Sequence, residues 1–311
     1  MRLIVATVAL PAALAASGTV PGAEVAASVL TPLVALAWAW KGGAKACALA
    51  LLPGVAVLAW LASAGLGAAG IGGYLAAGVA GGMFAGLLAR GRRVGLSLVI
   101  ASVPFAIWTA GLWATGYDPV TPELEQAWDR VLAEAGGGEE IQASAERALG
   151  IARRTWVSSE ILGFTSMLAL AFWFVRRWPE GATLPTPGRI AQLDLPDAVV
   201  APMILGLVLV LLGDGWPASV GWNLVTLTGA AYVVRGLAIE TFWMDRGRIG
   251  RGARTLFFAG NVLLFLPVFL TLTAAIGLFD TWFDFRRRRR SEGGGHPLSL
   301  FHDRSGDDLK E

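Results

Sequence analysis

The sequence predicts an all-α, polytopic integral membrane helical bundle of about eight to ten transmembrane helices, with one extracytoplasmic helical hairpin. Three observations carry that expectation. Of the 311 residues 55% are hydrophobic and only 15% are charged, where roughly 25% is usual in soluble proteins. The apolar residues fall in runs that match the roughly 20 residues a helix needs to cross a hydrocarbon core of about 30 Å. The charges gather where those runs end. Together these exclude a soluble enzyme with a charged surface, a disordered chain and a disulfide scaffold.

The expected spans are 3–20, 23–40, 44–64, 71–89, 94–116, 158–175, 197–213, 218–239 and 255–279. The first is open to a second reading as a signal peptide, with Arg2, an apolar run and the small residues Ala13 and Ala15. A retained helix is favoured because another apolar span follows almost at once. Lys41, Lys45, Arg90, Arg92 and Arg93 lie between alternate spans and read as cytoplasmic. Residues 1–116 then form an N-terminal membrane region, and 117–157 an acid-rich outer loop. Thr121 and Pro122 suit a first loop helix that Gly136, Gly137 and Gly138 end. A second runs from Glu139 towards Trp156, with Arg153 and Arg154 matching its C-terminal dipole.

Residues 158–285 form a C-terminal membrane region and 286–311 a basic, glycine-rich tail expected to be disordered. Here the charges conflict. Arg246, Arg248, Arg251 and Arg254 flank one end of the last apolar stretch and residues 286–290, all arginine, flank the other. Either the stretch bends back at Pro267 as two short arms, or one cluster breaks the positive-inside bias. One continuous helix is favoured, because a bend leaves backbone groups to be satisfied within the bundle. Trp38, Trp40, Trp113, Trp156, Trp178, Trp216, Trp243 and Trp282 lie near span ends, as an aromatic belt requires.

The chemistry-bearing residues are few. The lone cysteine, Cys47, sits in an apolar run and permits no intrachain disulfide. His296 and His302 are confined to the tail, so no imbedded imidazole is available for a metal or a general base. No phosphate-binding loop is present. No enzyme activity, metal, cofactor or nucleic-acid partner is expected. Gly78, Gly82 and Gly86 share one helix face, and so do Ala9, Ala12, Ala13 and Ala16; such small-residue faces serve close helix packing or docking of a partner subunit. Polar groups in or near the spans are costly and therefore candidates for ligand binding: Asn223, Arg235, Glu240 and Glu160. Arg235 either snorkels to the surface or needs an acidic partner or an anionic ligand. Asp280 and Asp284 are one turn apart, beside the tail arginines.

The ending Asp280-Thr281-Trp282-Phe283-Asp284-Phe285-Arg286 resembles the close of the YybS-like family of bacterial multispan membrane proteins. Thr31-Pro32-Leu33 with Trp40-Lys41-Gly42, and Asn223 with Arg235-Gly236-Leu237, are similar to further regions of that family. The resemblance makes Asp280, Trp282, Asp284 and Arg286 a family motif and implies a bacterial cytoplasmic (inner) membrane protein. The family's N-terminal half is in turn similar to the substrate-binding S components of energy-coupling-factor transporters. That likeness implies a small-molecule-binding transport subunit partnered, beyond the lipid bilayer, by a transmembrane coupling subunit with ATPases. A structural or assembly role, with the Arg-rich tail on a partner or anionic lipid, is the alternative.

Overall fold

A computed structural model describes residues 31–43, 45–49, 51–52, 69–118, 126, 128–132, 138–177, 184–185 and 195–285. Among these residues all regular structure is helical. Six longer helices are defined: α1 (Ala69–Ala89), α2 (Val94–Ala114), α3 (Glu139–Arg177), α4 (Val200–Leu212), α5 (Trp216–Arg246) and α6 (Arg251–Phe283). Residues 31–43 and 45–49 are helical as well. Five helices, α1, α2, α3, α5 and α6, are long and apolar enough to cross a membrane. Large apolar side chains such as Leu211, Leu212, Leu256, Leu263 and Leu264 stand on the exterior, where lipid rather than water accounts for them. Ala9, Ala12, Ala13, Ala16 and Arg286 lie outside the described residues, as do the first expected span and the tail.

The chain divides into two compact units, one of Met1–Gly188 with Ile204–Leu227, the other of Arg189–Met203 with Thr228–Glu311. In the first, α1 and α2 match the expected spans 71–89 and 94–116 to within two residues. Gly91, at φ +73°, turns the chain between them. Their core holds Ala80, Phe84 and Ala101 against Phe164, Leu168 and Phe172 of α3. Phe105 stacks on Phe164 at 4.2 Å between ring centroids, and the hydroxyls of Thr165 and Ser102 lie 2.9 Å apart.

Two expectations need correction here. The second loop helix does not stop near Trp156 but runs unbroken into the next span, giving a helix of 39 residues. No proline interrupts it, and a helix whose backbone bonds are already made has no reason to end at the membrane surface. Its N-terminal half is tied to the end of α2 by the ion pair of Arg153 with Asp118 at 3.3 Å and by Tyr117 against Trp156. The expected span 197–213 is a single 3₁₀ turn, Asp197–Val199, followed by α4 of 13 residues. At 1.5 Å per residue α4 is about 20 Å long, short of a full crossing.

In the second unit the expectation of one straight final span fails. The helical run of α6 is broken at Phe265, with φ −137° and ψ 27°, two residues before Pro267. Proline supplies no N–H and biases the residue before it away from helix, so the ladder opens here. The rings of Phe257 and Phe258 come within 6.4 and 6.3 Å of Phe269 across the break. Arg254 donates to the Met244 carbonyl at 3.2 Å, while Phe285 packs on Trp243 at 6.0 Å. A straight helix would hold Arg254 and Phe285 roughly 45 Å apart. α6 is therefore a helical hairpin, with arms 251–264 and 266–283, and both of its ends lie against the C-terminal turns of α5.

This bears on the charge conflict, since Arg254 and Phe285, the residue after which the run 286–290 begins in the sequence, both lie against the end of α5. In a Cys47→Ala background, Arg248→Cys and Arg288→Cys are expected to react with an impermeant maleimide from the same face of sealed vesicles. Labelling from opposite faces would show that α6 crosses.

Candidate functional site

The polar residues of the second unit converge where α5 meets the second arm of α6. Gly236 and Gly277 make this possible. A Cβ on Gly236 would collide with the carbonyl oxygen of Thr273, and one on Gly277 with that of Tyr232. Without them the two backbones touch, and short polar side chains can reach across.

On one flank Arg235 Nε donates to Asp280 Oδ2 at 3.0 Å, and Nη1 donates to Thr281 Oγ1 at 3.2 Å. The two charged side chains are only 6% and 1% exposed. Asp197, 75% exposed, approaches Arg235 Nη1 at 3.6 Å. The other oxygen of Asp280 accepts the Phe285 backbone N–H at 2.8 Å. That bond closes the left-handed turn at Asp284, φ 44°, which ends α6. Asp280 is thus both the counter-ion of a buried arginine and the cap of a helix end, and each role is charge-assisted. On the other flank Thr273 donates to Glu240 Oε1 at 2.9 Å. Glu240 Oε2 and the Tyr232 hydroxyl are buried without a hydrogen-bond partner among the described residues. Tyr232, Gly236 and Glu240 follow at four-residue spacing, so they share one stripe of α5.

In the first unit Asn223 holds α5 to α3. Its Nδ2 donates to the Arg154 carbonyl at 2.6 Å and its Oδ1 accepts the Ser158 N–H at 2.6 Å. Those two groups are the acceptor and donor of one i, i−4 step, so a single side chain grips both halves of it. Glu160, one residue pair further on, is exposed.

The other sequence candidates lie apart from this crossing. Gly78 and Gly82 pack on Leu51 and Cys47, whereas nothing stands within 4 Å of a Cβ on Gly86. Trp282 is exposed. Among the described residues no group of three metal-ligating side chains forms. Sequence reasoning did not single out Gly81, which abuts the backbone of Pro32 and Leu36, nor the crossing of Gly206 on Gly221. It also missed the partner role of Thr273 and Thr281. An apolar cleft of about 400 Å³ completes the second unit, lined by Trp243, Ile276, Phe279, Phe283 and Phe285.

No curated protein and no solved structure matches the chain. Residues 137–281, from just before α3 through Thr281, match the family described as predicted membrane protein (DUF2232). With its apolar helices and lipid-type exterior, this chain is a multi-pass helical membrane protein similar over that segment to the DUF2232 family.

Proposed function

We propose that the protein is a structural or assembly component of a bacterial inner membrane, acting by binding rather than by catalysis. The observation that supports this is the way its intramembrane charges are spent. Arg235 and Asp280 satisfy one another, and Asn223 bonds to α3 and to the Ser219 carbonyl of its own helix, so these groups brace helices instead of facing an open cavity. Exposed Arg246, Arg248 and Arg251, which pair with no described residue, and the run of five arginines at 286–290 in the sequence are suited to an acidic partner or an anionic surface. Deleting residues 286–311 is expected to abolish stoichiometric copurification of that partner while leaving helicity unchanged. Unaltered copurification would overturn the reading.

A second reading, a small-molecule-binding subunit of the S-component type served by a coupling subunit with ATPases, is favoured by one feature. Glu240 Oε2 and the Tyr232 hydroxyl are buried polar atoms lacking partners, and such atoms are costly unless a ligand or a water meets them. A metabolite that raises the unfolding temperature of the wild type but not of Glu240→Gln would establish it.

A further inference from the structure

We propose that the cleft at the open end of the α6 hairpin holds an acyl chain of an anionic phospholipid, whose phosphate lies among Arg246, Arg248 and Arg251. Its lining is Trp243 of α5 with Ile276, Phe279 and Phe283 of α6 and Phe285 just beyond. None of these side chains offers a carboxylate, a hydroxyl or an amide. A peptide laid there would bury N–H and C=O groups with nothing to bond, at a cost an acyl chain does not incur. The volume of about 400 Å³ lies at the small end of ligand pockets, roughly 300–1,000 Å³.

The rim supplies the headgroup chemistry. Arg246 is three residues beyond Trp243, on the same face of α5. Arg246, Arg248 and Arg251 are exposed and form no ion pair with a described residue. Two acids stand nearby. Asp245 is engaged by Arg254, and Asp284 ends α6. An apolar slot beside a tryptophan near a helix end, with exposed arginines three, five and eight residues further along the chain, has the polarity gradient of a single anionic lipid. Only the hairpin makes it possible, because a straight α6 would carry Phe279, Phe283 and Phe285 far from Trp243.

This inference shares with the assembly reading only the expectation that Arg246, Arg248 and Arg251 meet a membrane surface or partner. The full chain is placed in phosphatidylcholine nanodiscs doped with phosphatidylglycerol brominated on one acyl chain, or with phosphatidylcholine brominated alike. The Trp243 signal is the fluorescence difference between wild type and Trp243→Phe. Brominated phosphatidylglycerol is expected to quench that signal selectively. Arg246→Gln with Arg248→Gln should weaken the selectivity roughly tenfold or more, and Ile276→Phe, which fills the slot, should reduce quenching by both lipids. Native mass spectrometry of the wild type should retain phosphatidylglycerol over phosphatidylcholine. Equal quenching and equal retention of the two lipids would overturn the proposal, and so would a preference that survives the arginine substitutions. If the lipid preference fails while deletion of 286–311 still costs partner capture, only this inference falls. If the preference holds and capture is unaffected, only the assembly reading falls.

Discussion

Asp280→Ala is expected to destabilise the protein by about 3–5 kcal/mol, the range for leaving one member of a buried ion pair without its partner. Arg235, only 6% exposed, would keep Thr281 and the exposed carboxylate of Asp197 at 3.6 Å, neither of which replaces a bond of 3.0 Å to a buried counter-ion. The Phe285 N–H would lose its acceptor as well. Unfolding in mixed micelles titrated with sodium dodecyl sulfate, followed by circular dichroism, measures the loss. The informative companion is the double variant Arg235→Met/Asp280→Leu. Removing both charges removes the desolvation cost together with the attraction, so the double variant should recover at least half of what the single one loses. That recovery is expected of a brace. If Arg235 instead served an anionic ligand, the double variant would regain stability yet lose ligand-dependent protection.

Much of this architecture is legible from sequence because hydropathy reports length and apolarity directly. The runs at 71–89 and 94–116, separated by Arg90, Arg92 and Arg93, correspond closely to α1 and α2. The same signal is silent about direction. The stretch 255–279 is apolar enough to cross, and nothing in an apolar count distinguishes one crossing from two arms folded together. The clues were Pro267 and arginines at both ends, and the expectation set them aside on the cost of an opened backbone. That cost is confined to the break at Phe265, since residues 251–264 and 266–283 keep their own helical bonds.

The site was legible in pieces. Arg235 stands out in the sequence as an embedded cation that either snorkels or needs an acidic partner or an anionic ligand, and Asp280 as a carboxylate at a span end. Their union was not readable, because 45 residues separate them and the bend of α6 is what brings them together. The glycines show the same limit. A ridge at four-residue spacing is visible within one helix, whereas Gly236 and Gly277 matter as a pair drawn from two.

Gly277→Ala tests that pair and should cost about 1–3 kcal/mol, more for Gly277→Leu, because overpacking here forces two backbones apart rather than displacing a flexible side chain. Gly86→Ala is the opposite case. With nothing within 4 Å of the added methyl, it should be neutral or gain up to about 1 kcal/mol from the better helix propensity of alanine. The two effects differ in sign although both replace a glycine inside an apolar helix, which no scale of residue preference would anticipate. The crossing and the ion pair should also be coupled. An arginine–aspartate contact of 3.0 Å survives only while the helices stay this close, so Gly277→Ala already weakens what Asp280→Ala removes. The double variant Gly277→Ala/Asp280→Ala should therefore be less destabilised than the sum of the singles, by about 0.5–3 kcal/mol. Strict additivity would mean that the glycines and the charges hold the helices independently, and that the close approach is not what lets Arg235 stay buried.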